Sequence, residues 1–141
     1  MRRMMLMAAT ALSAALLTQS APKAQQPAPP AATQAAPGIK RTILQKMDVP
    51  GTDTEIITAI VEIAPNFAAG RHTHPGPVTG YVMDGDFYIT FDGEPEKALM
   101  AGDSLVVPGD TIHNEGTKDK ATKLMAVYVV KKGSPLATPV K

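Results

Sequence analysis

From Arg41 onward the apolar residues fall in short runs separated by turn-forming residues, and no stretch keeps the period of an amphipathic helix. The segment Thr54–Ile63, TEIITAIVEI, is dense in β-branched residues and too continuously apolar for a one-sided strand. It predicts a strand covered on both faces of a sandwich. Pro65-Asn66 then turns the chain into a segment that carries two histidines. Thr79–Met83 and Asp86–Phe91 read as a hairpin around Asp84-Gly85, with Phe87, Ile89 and Phe91 on one face. Further hairpin turns are expected at Asp92-Gly93-Glu94-Pro95, at Ala101-Gly102-Asp103 and at Pro108-Gly109-Asp110. Turn signals at this spacing, with glycine at each corner, predict an all-β fold of two sheets.

The start of the chain has a different texture. Arg2 and Arg3 precede the apolar run Met4–Leu17, and the small residues Thr18, Ser20 and Ala21 follow. That is the layout of a secretory signal peptide, and the run is short of the roughly 20 residues a membrane-spanning helix needs. Residues 1–24 are therefore expected to be a signal peptide cleaved between residues 20 and 25. The mature protein is then periplasmic or secreted, with no membrane attachment after cleavage. Residues 25–39 continue a segment rich in Pro, Ala and Gln, with no aromatic residue and almost no β-branched one. Such composition cannot bury enough apolar surface to offset the entropy of ordering, which predicts a disordered spacer.

Charge reads differently once the leader is set aside. The whole chain carries +1, but residues 39–141 keep 11 of the 14 Lys and Arg and all 13 Asp and Glu, a net −2. With no basic stripe, three Tyr, three Phe and no Trp, nucleic acid is not an expected partner. The absence of cysteine means that a domain of about a hundred residues is expected to hold together without disulfides, and it removes thiolate from any metal site.

All three histidines fall in two places, His72 and His74 in the segment RHTHPG, and His113 after the turn Pro108-Gly109-Asp110. Histidines at i and i+2 on an extended segment point to the same face. A third on a neighbouring strand would complete a cage for one metal ion, for which neutral imidazole is the commonest protein ligand. Packed core histidines are the competing role for any one of them alone.

Residues 66–85 resemble the first motif of the cupin superfamily: Gly, five residues, His-x-His, three residues, Glu, six residues, Gly. His72, His74 and Gly85 match it. Residues 102–117 resemble the second motif: Gly, five residues, Pro-x-Gly, two residues, His, three residues, Asn. Gly102, Pro108 and His113 match. The resemblance spans a domain over residues 40–138, including the Tyr128-Val129-Val130 strand, and is to small single-domain cupins. Asn66 and Asp110 stand in glycine positions, but both residue types tolerate the left-handed region. Thr117 replaces the motif asparagine, and Val78 replaces the motif glutamate, which in cupins is often the fourth, anionic ligand.

The resemblance implies a jelly-roll barrel (double-stranded β-helix), a divalent transition metal (iron, manganese or zinc) on His72, His74 and His113, and a homodimer. Val78, Tyr81, Met83 and Met125 are candidates for lining a small-molecule pocket above the ion. Without the motif glutamate, three imidazoles would leave the dication uncompensated. No histidine would remain for proton transfer, which counts against the sugar-epimerase type of cupin. Two functions stay open: a metal-dependent enzyme, oxygenase-like or a metal-assisted hydrolase or decarboxylase acting on a small molecule, and a non-enzymatic binding protein with a degenerate site.

Overall fold

The computed structural model describes residues 33–141, and all of it is strand, turn and loop. The expected signal peptide and residues 25–32 of the spacer lie outside the described residues. Eleven strands run in chain order: β1 (Thr33–Ala36), β2 (Ile39–Asp48), β3 (Thr54–Ile63), β4 (His72–Thr73), β5 (Val78–Asp84) and β6 (Asp86–Phe91). They continue with β7 (Lys97–Met100), β8 (Ser104–Val107), β9 (His113–Gly116), β10 (Thr122–Lys131) and β11 (Thr138–Pro139). A six-stranded sheet has the order β1-β2-β3-β10-β5-β8, and a five-stranded sheet the order β11-β4-β9-β6-β7. All pairings are antiparallel. The fold is an all-β jelly roll, as expected.

The core lies between the sheets. Ile57, Ala59, Val61 and Ile63 of β3 face it, with Leu124, Ala126, Tyr128 and Val130 of β10, Val78 and Val82 of β5, and Phe87, Ile89 and Leu99 from the other sheet. Strand β3 buries only this face fully, and the alternate residues Ile56 and Ile60 are half-buried. Its apolar continuity comes from its central place between β2 and β10, whose outward side chains shield part of the other face.

The expected hairpin at Asp84-Gly85 is not one. β5 and β6 lie in different sheets, and Gly85, at φ 87°, is the corner where the chain changes sheet. A Cβ there would sit 2.0 Å from the Ala121 carbonyl oxygen, so the corner admits only glycine. The turns at Ala101–Asp103 and Pro108–Asp110 likewise carry the chain from one sheet to the other, whereas Asp92–Pro95 does close a hairpin, between β6 and β7. Turn residues encode a reversal of direction, and a ladder and a corner need the same ones.

The spacer expectation also fails for residues 33–39. β1 pairs with β2 along four residues, Thr33 opposite Thr42 to Ala36 opposite Ile39, through the tight turn Pro37-Gly38. Ile39 is itself core. Composition gauges what side chains can bury, but an edge strand is held by main-chain hydrogen bonds that any non-proline residue can make.

Candidate metal centre

Two adjacent strands of the five-stranded sheet build the centre. His72 on β4 lies directly opposite His113 on β9, and His74 follows two residues later on the same face. The turn inside the second motif holds this register. Asp110 donates its main-chain N–H to the His74 carbonyl at 2.8 Å, from a left-handed conformation with φ 58°. Asn66 takes the same conformation at φ 56°, so both departures from glycine preserve their turns. Thr117 has a defined task of its own: its hydroxyl donates to the Ala64 carbonyl and accepts the Phe67 N–H, tying down the loop that leads to the histidines.

All three imidazoles are buried, with ring centroids 4.3–5.0 Å apart. Each Nδ1 meets a carbonyl oxygen: His72 with Gly70 at 2.8 Å, His74 with Leu136 at 2.5 Å, His113 with Thr111 at 2.9 Å. A carbonyl can only accept, so each Nδ1 carries the proton and each Nε2 presents a lone pair. Burial lowers the pKa of His74 to about 4 and lowers that of His113, which keeps both rings neutral at neutral pH. The Nε2 atoms of His72 and His113 are buried without any hydrogen-bond partner, a costly arrangement unless something else engages them.

Glu115 faces those two atoms. Its Oε1 lies 3.9 Å from His72 Nε2 and its Oε2 lies 4.0 Å from His113 Nε2. These gaps are too long for hydrogen bonds, but one ion with bonds of about 2.1 Å spans them. Donor atoms of His72, His74, His113 and Glu115 all lie within 4.8 Å of one another. The donor set of three neutral imidazoles and one carboxylate thus fits a divalent transition metal.

Glu115 is a ligand that the motif does not mark, since the motif places its carboxylate at the position held by Val78. The signal was present: Glu115 is two residues beyond His113 on the same strand, the relation that pairs His72 with His74. The expectation of an uncompensated dication is therefore corrected, since the carboxylate reaches the centre from β9 in the opposite sheet. Val78 does line the interior, bounding with His74, Glu115 and Tyr128 a cavity of about 20 Å³. Tyr81, Met83 and Met125 do not, being 45%, 46% and 40% exposed on the outer face of the six-stranded sheet. Strand parity explains the correction, since Tyr81 and Met125 pair with each other on the face opposite Val82 and Leu124.

Residues 59–130 match the family described as "Cupin domain", half of the chain and both histidine segments. The chain belongs to the cupin family. Among solved structures, this cupin is similar to KdgF from Halomonas sp., with 23% identity, a TM-score of 0.58 and coverage of 72% of this chain and 89% of that one. It is similar to the DMSP lyase DddQ from Ruegeria pomeroyi DSS-3 at 14% identity and TM-score 0.64, covering 78% and 61% of the two chains. An oxalate decarboxylase from B. subtilis aligns at 12% identity and TM-score 0.63, with 78% of this cupin covering 30% of that chain. At these identities the likeness is one of fold. No curated protein matches the sequence.

Proposed function

We propose that this cupin is an exported, divalent-metal-dependent enzyme acting on a small molecule, with His72, His74, His113 and Glu115 as the ligands. The observation that carries the reading is the pair of buried, unpartnered Nε2 atoms facing a carboxylate. Iron, manganese and zinc all suit the donor set. When bound, the ion would supply Lewis acidity, tempered by the charge of Glu115.

The chain's own residues restrict the chemistry. Every histidine is committed as a ligand with its Nδ1–H held by a carbonyl, so none is left to shuttle protons. Burial raises the Tyr128 pKa, so its phenol stays protonated beside His74, where the rings meet edge to face at 5.7 Å. Apolar Val78, Phe87 and Leu124 keep the interior cavity at the size of a single water. This supports an oxygenase-like or metal-assisted hydrolytic or decarboxylating reaction at the outer side of the centre. Similar folds carry a lyase and a decarboxylase. The cavity also supports the second reading, a non-enzymatic cupin that holds an ion alone.

Competition titration with zinc, manganese and iron(II) tests the centre. Glu115→Gln should weaken binding about 10- to 100-fold and His74→Ala at least as much. Failure of the wild type to bind any of the three would overturn the reading. Oxygen uptake and carbon dioxide release by loaded protein, over a panel of small carbonyl and carboxyl compounds, separate oxygenase from decarboxylase. Tight metal binding with no turnover would favour the second reading.

Export is supported by the signal-peptide layout of residues 1–24, and loss of secretion on deleting Met4–Leu17 is its test. A homodimer is part of the proposal. Tyr81, Met83, Met125 and Val106, exposed on one sheet face, are the apolar surface it would cover. Light scattering should give twice the chain mass.

A further inference from the structure

Strand β2 carries an arginine where the fold asks for an apolar residue. Its inward register runs Ile39 opposite Ile63, Arg41 opposite Val61 and Ile43 opposite Ala59, and every one of these residues except Arg41 is core. Arg41 is half-buried. Its Nε donates to the Tyr128 hydroxyl at 3.4 Å, and among the described residues no carboxylate pairs with it. Since a guanidinium is always charged and has five donors in a fixed fork, most of its capacity is not taken up by protein groups among the described residues.

That capacity faces a pocket. Arg41 and His72 are the polar members of the wall of a 390 Å³ pocket, and Ile39, Phe67, Pro37 and Pro139 are among the apolar ones. The pocket opens where the β1–β2 turn approaches β11, so one wall comes from each sheet. His72, a ligand of the metal centre, is part of that wall, and Arg41 bonds to Tyr128, which meets His74 edge to face. A largely apolar hollow with one cation and one metal ligand in its wall is matched by a molecule with an apolar body and a single planar anionic head.

We infer that this pocket is the substrate subsite and that Arg41 is its specificity residue, selecting a small carboxylate with an apolar body. The inference rests on the metal-centre reading for its catalytic meaning, but the recognition step is separable. Tyr128 holds the guanidinium by its Nε and leaves both terminal nitrogens to grip the carboxylate side by side. The carboxylate thereby enters next to His72 with its apolar part against Phe67 and Ile39.

The test uses benzoate and its neutral isostere benzamide as probes, titrated calorimetrically into metal-loaded wild type, Arg41→Met and Arg41→Lys. Metal content of each variant is measured in parallel. Wild type should prefer benzoate by about 10-fold or more, as a charge-assisted pair requires. Arg41→Met should lose the preference while retaining metal and benzamide affinity, and Arg41→Lys should recover part of it. Equal affinity for the two probes in wild type, or an unchanged preference in Arg41→Met, overturns the inference even if metal binds. A benzoate preference in protein that fails to bind metal would leave the subsite standing and remove the metal centre instead. If Arg41→Met proves unstable, the Arg41→Lys ratio decides alone, since an ammonium cannot reproduce the two-point grip and an unchanged ratio overturns the inference.

Discussion

Val78 and Glu115 line the same small interior from opposite sheets, and the carboxylate that the motif places at position 78 stands instead at position 115. Restoring the motif with Val78→Glu would not strengthen the centre. A second carboxylate in a cavity of about 20 Å³ must displace packed apolar atoms and sit near Glu115 with like charge. Destabilisation of about 1–3 kcal/mol is expected from overpacking alone, read as a lower urea midpoint of the metal-free protein. The conservative Val78→Ile should cost less than that, because only a methylene is added. The histidines were legible in the sequence because they are few and each falls on a motif position. Glu115 was legible only through its spacing from His113, since it sits off the motif, and Arg41 was not, because its inward register depends on which residues of β3 it pairs with. The bulge between Ile43 and Gln45 obscures that register further, since it shifts strand parity part-way along β2.

At the level of elements, the short strand β1 matters beyond its length. It covers the edge of β2, and its turn brings Gly38 so close to Phe67 that a Cβ would lie 2.2 Å from the ring. Phe67 and Pro37 both line the 390 Å³ pocket, so the turn sets one of its walls. A chain beginning at Ile39 should melt lower than one beginning at Thr33, on the order of 5 °C for each kcal/mol lost. Scanning calorimetry of the two would show it, and coincident midpoints would reduce β1 to a passive neighbour. Gly38→Ala should act in the same direction, since φ at that position is +82° as well as crowded. Strand identity was legible in the apolar runs, and the partition into sheets was not. The corner at Gly85 shows why, because its constraint comes from Ala121 in a loop remote in sequence.

Across the whole molecule, the buried histidines link stability to acidity. Burial holds the His74 pKa at about 4 in the folded protein against 6.5 for the free side chain, and lowers His113 as well. On acidification the unfolded chain therefore takes up these protons first. Stability is fully present above about pH 6.5 and is lost as the pH falls towards 4. The urea midpoint of metal-free protein should fall between pH 7 and pH 4.5, and the fall should be smaller in His74→Gln; an equal fall would assign the loss to carboxylates instead. The whole molecule also decides when the centre is complete. The carbonyl that fixes the His74 proton on Nδ1 belongs to Leu136, 62 residues further along, and β4 gains its second neighbour only from β11. All four ligands precede in the sequence the segment that orients one of them. Until that segment docks, nothing else among the described residues holds the His74 proton on Nδ1, so full metal affinity is expected only once β11 is in place.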